Sequence, residues 1–238
     1  MTNGIVAHFQ KSWEEYDDWY DAHPALYRTE LAALKKAVPR RGTGLEVGVG
    51  TGRCAAPLSV RFGLDPSLGM LGLARRKGIQ VVQGFGEALP FRSGTFDFVL
   101  IVFVLEFVDD LRSFLEEATR VLGSRGALVA GFIDRDSSWG RHFRMSSSAR
   151  RFFHPPSPRE LIDAIESVGM EFKDSWQTLF GPPPDVLREE VPRPGYGRGG
   201  FVVFKAVKKG KPAPRRLIIP AGKRRIFNSR KENADDTR

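Results

Sequence analysis

Short apolar runs alternate with amphipathic stretches along most of this 238-residue chain, the pattern of a parallel sheet with helices packed on its faces. Residues 11–37 carry Trp13, Tyr16, Trp19 and Tyr20 at roughly helical spacing and are predicted as a helical segment. Strands are predicted at 43–48 and 79–84, with another ending at Asp65 between them. Residues 96–103, apolar throughout from Phe98 onward, read as a strand covered on both faces. A helix over 111–122 is predicted to end at Gly123 in a left-handed cap, and a strand follows at 126–133. Helices are also expected at 67–77 and, interrupted by Pro57, between 52 and 60. Ser157-Pro158-Arg159-Glu160 is a capping box with proline at the first helical position, opening a helix to Val168. Strands at 171–180 and 201–207 complete the pattern. The Ser/Arg-rich stretch 134–156 and the Pro/Gly-rich stretch 181–200 read as irregular. The sum is an α/β chain with a doubly wound, mostly parallel sheet.

One segment carries chemistry. Leu45-Glu46-Val47-Gly48-Val49-Gly50-Thr51-Gly52 reads as a buried strand entering a glycine-rich turn. Glycines at 48, 50 and 52 let the backbone turn tightly and approach a ligand where a β-carbon would collide. Glu46 makes the motif more specific, because a carboxylate on an apolar strand is costly unless something polar meets it. A dinucleotide oxidoreductase would carry an apolar residue there and the G-x-G-x-x-G spacing; this chain has neither. Asp65, at the end of the next strand and followed by Pro66, would sit outside the carboxyl ends of the sheet, where doubly wound folds bind ligands. Its two oxygens can accept both hydroxyls of a ribose.

These blocks, with Gly86-Glu87-Ala88-Leu89-Pro90-Phe91 and Thr95-Phe96-Asp97-Phe98-Val99, resemble the class I S-adenosylmethionine-dependent methyltransferases, in particular the type 11-like subgroup that methylates small molecules. The similarity runs from about Trp13 to about Val207, and Gly195–Val203 is similar to the last strand of a narrower bacterial and archaeal set. The resemblance implies a Rossmann-like fold of seven strands with the last inserted antiparallel. It also implies S-adenosyl-L-methionine as cofactor, with Glu46, Gly48, Gly50, Thr51, Gly52, Asp65, Pro66, Gly86 and Glu87 around it. Many relatives place an aspartate after the third strand for the adenine amino group. Phe85 stands in that region here and cannot accept that hydrogen bond.

Charge changes the picture only at one end. The net charge is +9, yet residues 208–238 hold 11 Lys and Arg against 3 Asp and Glu. Residues 1–207, expected to form one methyltransferase domain with a helical lid segment at 1–37, carry 26 basic and 25 acidic side chains. The basic, proline-containing tail is expected to be disordered. It could touch nucleic acid through phosphates, although a solvated extension is the plainer reading. A single cysteine excludes an internal disulfide, and the four histidines lack metal-ligand spacing, so no metal is expected. The longest apolar run, Phe98–Leu105, is far short of the roughly 20 residues of a membrane helix. The expectation is a cytoplasmic protein without a membrane span.

The chemistry implied is in-line transfer of a methyl group from a sulfonium to a small-molecule acceptor. Aligning the reactants can supply roughly 7–11 kcal/mol. Acceptor-side candidates are Tyr16 on the helical segment, Glu106 past the fourth strand, and Tyr196 and Arg198 before the last one. Tyr16 and Tyr20, with His23, read either as a lid or as an aromatic stripe packed on the sheet; His142 and His154 have no stronger claim than incidental surface histidines. No residue stands out as a general base. Two other readings stay open: a cofactor-binding module without turnover, and an RNA-directed enzyme using the tail. The second lacks the Asn-Pro-Pro-Tyr type tetrapeptide, since Val104-Leu105-Glu106-Phe107 follow the fourth strand.

Overall fold

The computed structural model describes residues 3–146, 152–183, 186 and 188–209; the tail expected at 208–238 lies outside them beyond Lys209. Three helices lead the chain: α1 (Asn3–Lys11), α2 (Trp13–Ala22) and α3 (Pro24–Ala37). Pro24 opens α3, its fixed φ suiting the first helical position, and this divides the predicted 11–37 segment. Then follow β1 (Gly44–Val47), β2 (Phe62–Asp65), α4 (Leu68–Arg76), β3 (Gln80–Gln83), β4 (Phe96–Val102), α5 (Leu111–Val121) and β5 (Leu122–Ile133). After them come α6 (Ser138–Ser146), α7 (Pro158–Ser167), β6 (Met170–Thr178), β7 (Arg193–Pro194) and β8 (Phe201–Lys208).

The strands form one sheet in the order β3-β2-β1-β4-β5-β8-β6-β7. The first five run parallel, and β8 enters antiparallel between β5 and β6. Seven strands are those expected; the two-residue β7 on the outer edge makes eight. The central strand β4 explains its own apolar run. Phe98, Leu100 and Val102 face a core built with Leu26, Leu34 and Ala74. Val99 and Ile101 face a second core with Phe114, Leu115 and Leu161. Each such fully buried side chain contributes about 1.5–3 kcal/mol.

Three local expectations are corrected. Residues 52–60 form a chain of turns in place of a helix, with Ser59 at φ 58 and the Val60 amide donating back to the Ala55 carbonyl. Gly123 does not cap α5 in a left-handed conformation: the chain leaves the helix at Leu122 straight into β5, and the positive φ falls on Arg125. The helix end is closed from outside, by Lys208 Nζ donating to the Thr119 and Leu122 carbonyls at 2.9 and 3.0 Å. The stretch read as irregular at 134–156 contains α6, whose Trp139 is buried against the sheet. The capping box at Ser157–Glu160 is present as read, both reciprocal bonds made.

Candidate active site

The chain passes from β1 outward to β3, then returns to β4 and continues the other way, so the sheet reverses direction between β1 and β4. At the carboxyl ends of these strands lies a cavity of about 290 Å³. Gly48 and Gly50 bound it from the turn after β1, Asp65 from the end of β2, Phe103 from the end of β4 and Ile133 from the end of β5. Helices α1 and α2 roof it with Phe9, Tyr16, Trp19 and Tyr20.

The three turn glycines all have positive φ, at 75°, 53° and 82° for Gly48, Gly50 and Gly52, a region that L side chains occupy only with strain. Their surroundings differ. A β-carbon on Gly48 would stand 2.1 Å from Val104 Cγ2, and on Gly52 2.5 Å from Ile79 Cδ1, so these two let the turn press into the fold. On Gly50 the nearest atom would be Tyr16 Cε1 at 3.7 Å, so Gly50 is the glycine that opens toward the cavity.

Asp65 holds this turn from below. Its Oδ2 accepts from the Gly50 amide at 2.9 Å and its Oδ1 from the Ser67 amide at 2.8 Å. Each oxygen keeps a further lone pair for a ligand hydroxyl. Burial pushes the carboxyl up to about 6, against the opposing pull of the Ser67 and Gly50 amides. Glu46, pointing off β1, is 2% exposed. The Ala55 amide donates to it, while its Oε2 has no hydrogen-bond partner. Burial, reinforced by the nearby Asp65 charge, holds it well above the usual carboxylate range. Beside it lies a pocket of about 10 Å³, also bounded by Gly48, Thr51 and Tyr16, room for one water or a small polar group.

The roof is latched to the turn. Arg53 donates from Nε and Nη2 to the two Asp17 carboxylate oxygens at 2.8 and 2.7 Å, and from Nη1 to Asp21 Oδ1 at 2.8 Å. Lys77 Nζ adds bonds to Asp17 Oδ1 and the Thr51 carbonyl at 2.8 and 3.0 Å. Burial works against ionised Asp17, but the bonds from Arg53 and Lys77 outweigh it and hold the carboxyl down at about 2. Within the roof, the Tyr16 and Tyr20 hydroxyls share a hydrogen bond at 2.9 Å, and Gln10 Oε1 accepts from the Ser67 hydroxyl at 2.8 Å, tying α1 to the start of α4.

The remaining sequence-predicted residues divide. Pro66 bounds the main cavity beside Asp65, and Tyr16 bounds both cavities. Gly86 is pressed against Phe114, where a β-carbon would stand 2.0 Å from Cε2, and neither it nor Glu87 bounds the cavity. Phe85 is exposed. Tyr196 packs edge-on against Phe172 and Phe204, and the Arg198 amide donates to Gln177 Oε1 at 3.0 Å; both lie apart from the cavity. His23 stacks on Trp19 at 4.5 Å as the hinge between α2 and α3. Glu106 lies behind the wall, fully buried, with Oε1 accepting from the Ile133 amide at 2.8 Å.

The sequence reading missed a carboxylate of the cavity. Glu30 of α3 reaches the cavity while 5% exposed. Its signal was available: it lies on the same helical face as Leu26, Ala33, Leu34 and Ala37, all buried. A carboxylate on a core-facing stripe marks a site as a carboxylate on an apolar strand does. Among the described residues no cluster of His, Cys, Asp or Glu is placed to hold a metal ion, and no helix is long and apolar enough to cross a membrane.

Residues 45–130 match the family described as methyltransferase domain. An uncharacterized protein of Methanocaldococcus jannaschii is 40% identical over 203 residues, covering 84% of this chain and 98% of its own. One from Mycobacterium tuberculosis is 46% identical over 208 residues, 81% of this chain and 70% of its own. Among solved structures, a SAM-dependent methyltransferase of Thermotoga maritima, described as a possible histamine N-methyltransferase, is 38% identical with a TM-score of 0.80, covering 84% of this chain and 98% of its own.

Proposed function

Because the chain belongs to the S-adenosylmethionine-dependent methyltransferases, we propose that the cavity at the sheet reversal binds S-adenosylmethionine and a small-molecule acceptor together. The observation that carries this reading is the juxtaposition of Asp65, the Gly50 opening and the aromatic roof around one cavity. The residues fit the donor. The free lone pairs of Asp65 suit the ribose hydroxyls, and the orphaned Oε2 of Glu46 suits the ammonium of the amino-acid end, directly or through a water in the adjoining small pocket. Pro66 and Met70 offer apolar surface to the adenine, with no role left for Phe85.

When bound, the donor supplies a methyl group already activated by its positive sulfur. What remains for the protein is to align, enclose and dehydrate. Tyr16, Trp19 and Tyr20 present aromatic groups where a cation would lie, an attraction of about 0.5–2 kcal/mol. The latch from Arg53 to Asp17 closes the roof on the turn and excludes water from the reacting atoms. Gly86, Glu87, Tyr196 and Arg198 are not among the residues that bound the cavity, and this scheme gives them no part.

Calorimetric titration of S-adenosylmethionine and S-adenosylhomocysteine tests the reading. Micromolar binding, weakened tenfold or more in Asp65→Ala (about 1.4 kcal/mol), is the expected result. A folded protein that binds neither overturns it. Binding without turnover over a broad acceptor panel would favour a cofactor-binding module.

A further inference from the structure

One wall of the cavity carries a buried carboxyl group with no cation beside it. Among the described residues Glu30 has neither a hydrogen bond nor a cation against it, and the charged group that faces it is Glu106, another carboxylate. Glu106 is fully buried and spends one oxygen on the Ile133 amide, while its Oε2 has no partner. The titratable groups that feel Glu30 are Tyr16, Tyr20 and Cys54, which offer no positive charge, and His8 of α1 also bounds the cavity without acting on Glu30. Phe103, Phe107 and Phe153 wall the same cavity. Two carboxylates in apolar surroundings cannot both ionise unless a cation joins them. Beside a neutral acceptor at least one of the pair stays protonated and an anionic one would be repelled, whereas a cation lets the charge form and the aromatic walls add attraction for it.

We propose that Glu30, with Glu106 buried behind the wall, makes the acceptor end of this cavity a site for the ammonium group of a small amine, and that Glu30 takes the proton whose loss makes that nitrogen nucleophilic. The proposal rests on the methyl-transfer reading and deepens it by naming the acceptor class. The ammonium gives one proton to the Glu30 carboxylate. The nitrogen lone pair then forms the bond to the methyl carbon as the carbon–sulfur bond breaks, its electron pair staying on sulfur. Positive charge passes from sulfur to nitrogen, and the proton on Glu30 leaves to solvent as the product departs. Glu106 is a positioning residue: its negative charge raises the proton affinity of Glu30. Burial, with Glu106 close by, raises Glu30 well above the usual carboxylate range, which strengthens it as a proton acceptor, and burial pushes Glu106 up to about 7.

The test uses the full chain saturated with S-adenosylhomocysteine and titrated at fixed pH with phenethylamine and butylamine, each against its neutral counterpart, phenethyl alcohol and 1-butanol. At least one amine is expected to bind tenfold or more tightly than its alcohol. Glu30→Gln keeps the side chain's size and removes its charge; it should abolish that preference while leaving S-adenosylhomocysteine affinity and melting temperature in place. Equal binding within each pair, no amine binding, or a preference that survives in Glu30→Gln overturns the proposal. The wild-type comparison decides it even where a variant fails to fold. Failure to bind S-adenosylhomocysteine would instead bring down the methyl-transfer reading itself.

Discussion

At the scale of single residues, the glycine turn separates two costs that a sequence motif merges. Gly48 has both a positive φ and a neighbour at 2.1 Å, whereas Gly78 has a positive φ of 85° with open space around it. Gly78→Ala should cost about 1–2 kcal/mol from backbone strain, and Gly48→Ala a further 1–3 kcal/mol, roughly, from overpacking against Val104; urea denaturation of the two variants measures the difference. Asp65 sets a pH dependence. Its folded pKa of about 6 lies above the ordinary 3.8, so the unliganded protein holds this proton longer than the unfolded chain and loses that part of its stability as pH rises between the two values. Donor binding runs oppositely, because the ribose hydroxyls need the ionised carboxylate. Calorimetry should find affinity about tenfold weaker at pH 5 than at pH 7.5. Both residues were legible in the sequence because their signal is local: a glycine spacing and a carboxylate at a strand end. Glu30 was legible only as an anomaly on a helical stripe, since what makes it a site is Glu106, 76 positions away.

At the scale of elements, α2 is joined to the turn by a compact ionic cluster. Asp17 and Arg53 are each mostly shielded from solvent while Asp21 stays exposed. Asp17→Asn should therefore cost about 1–2 kcal/mol, between the values for exposed and buried pairs, and should speed release of S-adenosylhomocysteine severalfold in stopped-flow displacement. Asp21→Asn should leave both nearly unchanged. Helices α2 and α3 were read as one segment over 11–37 because the aromatic spacing gives no break before His23, and only Pro24 marks a boundary. The helix expected at 52–60 is replaced by turns, with left-handed residues at both ends of the stretch, Gly52 and Ser59. Gly123 misled in the opposite sense, since the carbonyls it would have closed are met by Lys208 from a distant strand. Tyr196 and Arg198, chosen for their glycine-rich loop, pack on the β6 and β8 side of the sheet, a placement set by topology.

At the scale of the whole molecule, the near-neutral domain and the basic tail read from the charge distribution remain separable units in our proposal. A chain ending at residue 209 is expected to keep its melting temperature and its S-adenosylmethionine affinity, which differential scanning calorimetry and titration would show; a loss of either would make the tail part of the fold. The order of the sheet has a consequence for how the protein comes into being. β8, the last strand among the described residues, lies between β5 and β6 in the finished sheet. Until it arrives, β5 presents an open, strongly apolar edge, and β6 has nothing to pair with but the short β7. Register pairs such as Ala127 with Val207 close over long stretches of chain, which slows folding. A nascent chain that has passed residue 178 but not reached 201 is thus a nearly complete fold with an exposed strand edge, the moment at which it is most prone to pair with another copy of itself.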